Sequence, residues 1–128
     1  MSDPHPATLL RLLNISSLPA QPWKNGGGTT REVLCHPQHA GYEHFDWRIS
    51  LAQIQTSGDF SRFPGIDRHI MLIEGDNMQL THDQHIHVLH PFQPYAFAGE
   101  DKMACLLPLG PTQDLNLMLR RGRAQGSL

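Results

Sequence analysis

Hydrophobic and polar residues alternate most clearly over Trp47-Arg48-Ile49-Ser50-Leu51-Ala52-Gln53-Ile54. A period of two marks a half-buried strand, because successive side chains leave opposite faces of a pleated chain. Trp47, Ile49 and Leu51 share one face, expected to be core. Arg48, Ser50 and Ala52 share the other, polar but small, as in the lining of a barrel or cleft. Similar runs predict strands over Thr30–Cys35, stopped by His36-Pro37, and over Arg68–Glu74, ended by Gly75-Asp76-Asn77. Met78–Thr81 and His85–Leu89 read as a hairpin across His82-Asp83-Gln84. Phe92–Phe97, Met103–Leu107 and a last strand over Asp114–Met118 follow. Leu9–Leu13 reads as an opening strand, and Ser16–Ala20 as a turn or single helical turn with a serine cap. Gly58–Gly65 is a loop whose Phe60 and Phe63 cap the core. Short strands with turn residues between them predict an all-β sandwich or barrel.

Composition supports one such domain over residues 1–128. The chain carries 11 glycines and 10 prolines, with only 17% charged residues, a mixture suited to turn-rich β structure. A net charge of −2 argues against a general nucleic-acid-binding surface. Arg120, Arg121 and Arg123 form the one basic cluster and are expected to be solvated. Met1–Leu13 has no basic start followed by a long apolar run, and no stretch approaches the length of a membrane span. Cys35 and Cys105 lack CxxC companions and read as reduced. A cytoplasmic protein with no membrane partner is expected.

The segment richest in chemistry is Trp23-Lys24-Asn25-Gly26-Gly27-Gly28-Thr29-Thr30-Arg31-Glu32. Glycine tolerates positive φ and close approach to the backbone, so a tight loop feeding a strand is expected. Two readings stay open. Exposed N–H groups with Lys24 and Arg31 would form an anion-binding pocket wall; alternatively the loop is a β-turn beside an ordinary ion pair. Neither a P-loop ending nor a spaced dinucleotide fingerprint is present.

Nine histidines raise the question of metal. His85 and His87, two apart on a strand, would share a face about 6.6 Å apart, with His90 nearby. These three are the metal candidates, and the ligand set is incomplete: Pro91 and Phe92 stand where a metal-binding cupin would carry its glutamate. Ile86 and Val88 are expected to point inward and His85 and His87 to solvent. No nucleophilic elbow or carboxylate pair is legible, so no catalytic residue and no cofactor are assigned.

The blocks Pro22-Trp23-Lys24-Asn25-Gly26-Gly27-Gly28-x-Thr30-Arg31-Glu32, Trp47-Arg48-x-Ser50-x-Ala52 and Phe60-Ser61-x-Phe63-Pro64-Gly65-x-Asp67-Arg68 resemble the HutD/Ves family. Leu72-Ile73-Glu74-Gly75, Pro91-Phe92-Gln93-Pro94-x-Ala96-Phe97 and Gly110-Pro111-x-x-Asp114-Leu115-Asn116-Leu117-Met118 continue the likeness in order, as far as Arg120-Arg121-Gly122. The resemblance implies a cupin-like jelly-roll or β-barrel, one barrel half of a bicupin-like family fold. It also implies an association with bacterial histidine utilisation, with a regulatory rather than catalytic role. Family members continue past Arg120-Arg121-Gly122 into a second half, whereas this sequence ends at Leu128. It is a natural short form, a truncated product or a chain completed by another copy, and exposed sheet edges predict a homodimer.

The function expected is non-catalytic binding of a small anionic metabolite in the barrel mouth. Lys24, Arg31 and Arg48 supply cations, since arginine grips a carboxylate in two parallel hydrogen bonds. Asn25 and Asn116 offer donor and acceptor together; Glu32 and Asp114 read either as site residues or as structural partners of the arginines. The alternatives are a metal-dependent cupin enzyme (isomerase or dioxygenase) and a protein-interaction module. Enzyme activity stays open, with the balance against it.

Overall fold

The computed structural model describes residues 12–41, 43–107 and 109–128. Ten strands follow in order: β1 (Gln21–Pro22), β2 (Gly28–His36), β3 (Trp47–Ile54), β4 (Gly58–Asp59), β5 (Ile66–Glu74), β6 (Met78–His82), β7 (His85–Leu89), β8 (Tyr95–Ala98), β9 (Met103–Leu106) and β10 (Thr112–Arg120). They form a six-stranded sheet in the order β1-β2-β3-β10-β5-β8 and a four-stranded sheet in the order β4-β9-β6-β7. Every pairing is antiparallel. A 3-10 turn at Ile15–Ser17 is capped by Asn14, whose side chain accepts from the Ser16 N–H, so asparagine rather than serine is the cap. Leu9 to Arg11 lie outside the described residues, and Leu12 and Leu13 are not in a strand.

The alternation fixes which side chains meet between the sheets. Ala52 and Ile54 of β3, Ile70 and Leu72 of β5, and Phe97 of β8 pack against Met78 and Leu80 of β6, Leu89 of β7 and Met103 and Cys105 of β9. The inner face of β3 is therefore the Arg48-Ser50-Ala52-Ile54 face. Trp47, Ile49 and Leu51 lie on the outer face with Leu115, Leu117 and Leu119 of β10; Leu51 is buried there as expected, whereas Trp47 and Ile49 are only half-buried, which corrects their assignment to the core. Leu117 and Leu119 are buried all the same, because the chain after β10 folds back and Gly126 lies against them.

A second correction concerns β7. Leu89 is fully buried in the core. Its parity puts His87 and His85 on the same face as Leu89, and the His87 ring lies 4.6 Å from that of Tyr95, yet both histidines stay exposed to solvent, as the sequence leads one to expect. Ile86 and Val88 point outward, 70% and 40% exposed. The smaller sheet thus ends in a strand with an apolar outer surface.

Two glycines hold the mouth of the fold together. A Cβ on Gly28 would strike the Gln53 carbonyl and crowd the Trp23 ring, so glycine lets β2 close on β3 beneath Trp23. A Cβ on Gly99 would strike the Phe63 carbonyl. The bare backbone there exchanges hydrogen bonds with Phe63 and Ile66 and seats the Phe60–Gly65 loop over the barrel.

Candidate functional site

Between the sheets the core does not fill the barrel. A cleft of about 830 Å³ opens between the inner face of β3, β10 and β5, the Gln21–Asn25 segment and the Asp59–Pro64 loop. Register explains its floor. Arg48, Met118 and Arg68 stand side by side on β3, β10 and β5; Ser50, Asn116 and Ile70 form the next row, and Ala52, Asp114 and Leu72 the one beyond.

The two arginines are held differently. Arg48 is buried and its Nε donates to Glu32 Oε1 at 2.9 Å. Arg68, also buried, has no carboxylate partner among the described residues. Its guanidinium carbon lies 4.9, 5.2 and 5.8 Å from the ring centres of Phe97, Phe63 and Phe60, and Nη1 donates to the Ser61 carbonyl at 3.3 Å. Its Nε finds no acceptor. Burial, and then repulsion from Arg48, lower the Arg68 pKa to about 10. Two buried guanidinium groups close enough to repel form an environment that an anion would relieve.

Asp114 lies at the other end of the floor. It is fully buried, and neither carboxylate oxygen has a hydrogen-bond partner among the described residues. Burial raises its pKa to about 7. Asn116 bridges toward it, donating to the Asp114 carbonyl at 3.4 Å. Around the cleft, Lys24, Arg48, Arg62, Arg68 and Arg120 outnumber Glu43, Asp59 and Asp114.

The glycine-rich loop is a closed turn. The Gly26 N–H donates to the Trp23 carbonyl and the Gly27 N–H to Asn25 Oδ1, at 3.0 and 2.8 Å. Both donors are spent inside the turn, so they do not form the open nest considered from sequence. Trp23 packs on the core while its Nε1 donates to Thr30 Oγ1 at 2.7 Å.

Of the basic residues near Arg120, Arg121 and Arg123 are exposed to solvent as expected, and all three also find partners within the fold. Arg121 pairs with Asp67 and Glu100, and Arg123 with Asp46. Arg120 donates to the Phe45 carbonyl at 2.8 Å and stacks over the Phe45 ring. The Arg121 hydrogen bonds hold the Glu100 carboxyl at about 2.

The HutD family model matches residues 15–128. The chain belongs to the HutD family. Among HutD relatives, it is 41% identical over 120 residues to a 21.2 kDa Pseudomonas putida protein named for the hutC 3' region, covering 93% of this chain and 63% of that one. It is 39% identical over 113 residues to Protein Ves of Escherichia fergusonii, covering 87% and 58%. The structure of HutD from Pseudomonas fluorescens SBW25 superposes with a TM-score of 0.78 at 42% identity, covering 83% of this chain and 58% of that chain. The chain thus spans about three-fifths of the length of these relatives. The cupin fold extends to distant likenesses, including an ectoine synthase from P. lautus at a TM-score of 0.68 and 10% identity, and a cupin domain of an Enterobacter cloacae transcriptional regulator at 0.58 and 16%. These likenesses show the fold alone.

Of the residues singled out from sequence, Lys24, Asn25, Arg48, Asp114 and Asn116 line the one cleft, and Glu32 sits at its edge on Arg48. Arg31 does not join them. It pairs in register with Leu51 and lines a separate outer recess of about 260 Å³ with Thr29 and Gln113. His85, His87 and His90 lie away from the cleft; among the described residues no three His, Cys, Asp or Glu side chains converge as a metal site. Arg68 was missed. Its parity with Ile70 and Leu72 was the available signal, since an arginine in phase with buried aliphatics faces the interior.

Proposed function

We propose that the chain is a non-catalytic, regulatory binder of a small anionic metabolite, seated in the cleft with its anionic group against Arg48 and Arg68. The observation that carries this reading is the buried Arg68 guanidinium, repelled by Arg48 and met by aromatic rings rather than a carboxylate. A ligand carboxylate would supply charge-assisted hydrogen bonds that no described residue provides to Arg68 Nε. The connection to histidine utilisation rests on the hutC 3' region in the name of the Pseudomonas putida relative. Arg31 is left out of the proposed site because it faces the other side of the sheet.

A thermal-shift panel of histidine, urocanate, formiminoglutamate, formylglutamate and glutamate tests the reading. A ligand at a hundredfold its Kd adds roughly 2.7 kcal/mol of stability. A selective shift lost in Arg48→Ala and Arg68→Ala supports it, and no shift with any of the five overturns it. The chain is also proposed to act as a homodimer; the unpaired outer edge of β7, with Ile86 and Val88 exposed, supports this.

A further inference from the structure

The cleft has a positive wall and an acidic floor, and the acidic group is the less explained of the two. Asp114 stands four residues from Met118 along β10, on the same inner face. Met118 marks the row of Arg48 and Arg68, and Asn116 and Ser50 fill the row between. A carboxyl group with no exposed surface and no hydrogen-bond partner among the described residues is costly to retain. Alanine, leucine or threonine would serve packing there at lower cost. Among the described residues no cation pairs with it either.

We propose that Asp114 is a specificity-determining group, and that the cleft takes a small dipolar ligand: a carboxylate at one end and N–H donors, as in an amino, amidino or imidazole group, at the other. The inference rests on the anion-binding reading of Arg48 and Arg68 and adds what the opposite end of the ligand must be. An ionised carboxylate only accepts hydrogen bonds, so a group presenting N–H, best a cationic one, satisfies it. A simple alkyl carboxylate would satisfy the arginines and leave Asp114 bare. A dicarboxylate would set two acceptors against each other. The site therefore discriminates by leaving its buried acceptor unpaired with the wrong ligand, a form of selection stronger than a loss of apolar contact.

Isothermal titration at pH 7.5 with 4-guanidinobutyrate and 6-guanidinohexanoate, against hexanoate and acetate as donor-free controls, tests this. Asp114→Asn and Arg68→Met are titrated in parallel, with their folding checked by thermal melting. At least one guanidino acid should bind about tenfold or more tightly than hexanoate, the size of one charge-assisted hydrogen bond. In Asp114→Asn that preference should collapse while hexanoate affinity holds or rises. Equal affinity for guanidino and alkyl acids, or an unchanged preference in Asp114→Asn, overturns the proposal while leaving the anion site standing. Loss of the anion site itself reads differently: hexanoate and acetate fail to bind, or bind Arg68→Met as well as the native chain, and both readings then fall.

Discussion

Arg48 and Arg68 flank Met118 on the inner face of the larger sheet, and among the described residues a carboxylate pairs with the first but none with the second. The difference separates stability from function. A buried cation held by ring faces and one long hydrogen bond contributes little to folding, and apolar replacements of buried charges are often neutral or stabilising. Arg68→Met should therefore leave the melting temperature of the free protein unchanged or raise it. The same variant should lose the stabilisation that an anionic ligand confers on the native chain. Melting curves with and without ligand check both halves, and a variant that binds as well as the native chain would remove Arg68 from the site.

Glu32 competes with any anion for Arg48. In Glu32→Gln the charge-assisted bond to Arg48 Nε is weakened, which should cost about 1–2 kcal/mol in urea unfolding. Anion affinity should move the other way and tighten several-fold, because the incoming group no longer displaces an internal carboxylate. If both properties decline together, Glu32 serves the ligand rather than opposing it.

Asp114 gives the protein a pH dependence of definite sign. Its folded pKa is raised to about 7 from an ordinary 3.8, so the folded state holds its proton where the unfolded chain has lost it. The stability associated with the neutral carboxyl is present in full below about pH 4 and drains away as pH rises to about 7, at up to about 1.4 kcal/mol per pH unit. Asp114→Asn removes the titration. The variant should exceed the native chain by a few kcal/mol at pH 8, and the gain should vanish near pH 4. Chemical denaturation at the two pH values measures this, and an equal gain at both would mean that the carboxyl does not titrate in that range.

The backbone at the cleft mouth is equally testable. Gly28→Ala drives a Cβ into the Gln53 carbonyl and against Trp23, whereas a Cβ on Gly58 meets nothing within 4 Å. The first should destabilise by about 2 kcal/mol or more and the second by less than about 0.5 kcal/mol. Comparable losses at the two positions would show that β2 can shift away from β3 without penalty.

Much of this arrangement was legible in the sequence, and the limits have physical causes. The alternation from Trp47 to Ile54 gave β3 with its true ends, because a period of two records the pleat directly. It did not say which face meets the second sheet. On β3 the more apolar face lies outward, where the returning chain at Gly126 covers its neighbours Leu117 and Leu119. That covering is a tertiary fact with no local signature. On β7 only Leu89 reaches the core; Ile86 and Val88 point outward, and His85 and His87 stay exposed although the His87 ring meets that of Tyr95. Arg31 was grouped with Arg48 because both carry charge in neighbouring strands. Register decides otherwise: Arg31 pairs with Leu51, and β2 shifts register between Glu32 and Leu34.

The outward apolar side chains of β7 offer an edge for the proposed homodimer. Edge strands are kept apart in most folds by charge, proline or a bulge. β7 carries none of these over His85–Leu89, and its outer face shows Ile86 and Val88 to solvent. Antiparallel pairing of two such edges about His87 would set Ile86 of each chain against Val88 of the other, placing apolar side chains together on one face. Light scattering on the purified chain should give the mass of a dimer. Val88→Lys should shift it to monomer without lowering the melting temperature by more than the lost association explains, since Val88 makes no core contact. A native chain that is monomeric at high micromolar concentration would rule the edge out as an interface and return Ile86 and Val88 to ordinary exposed residues.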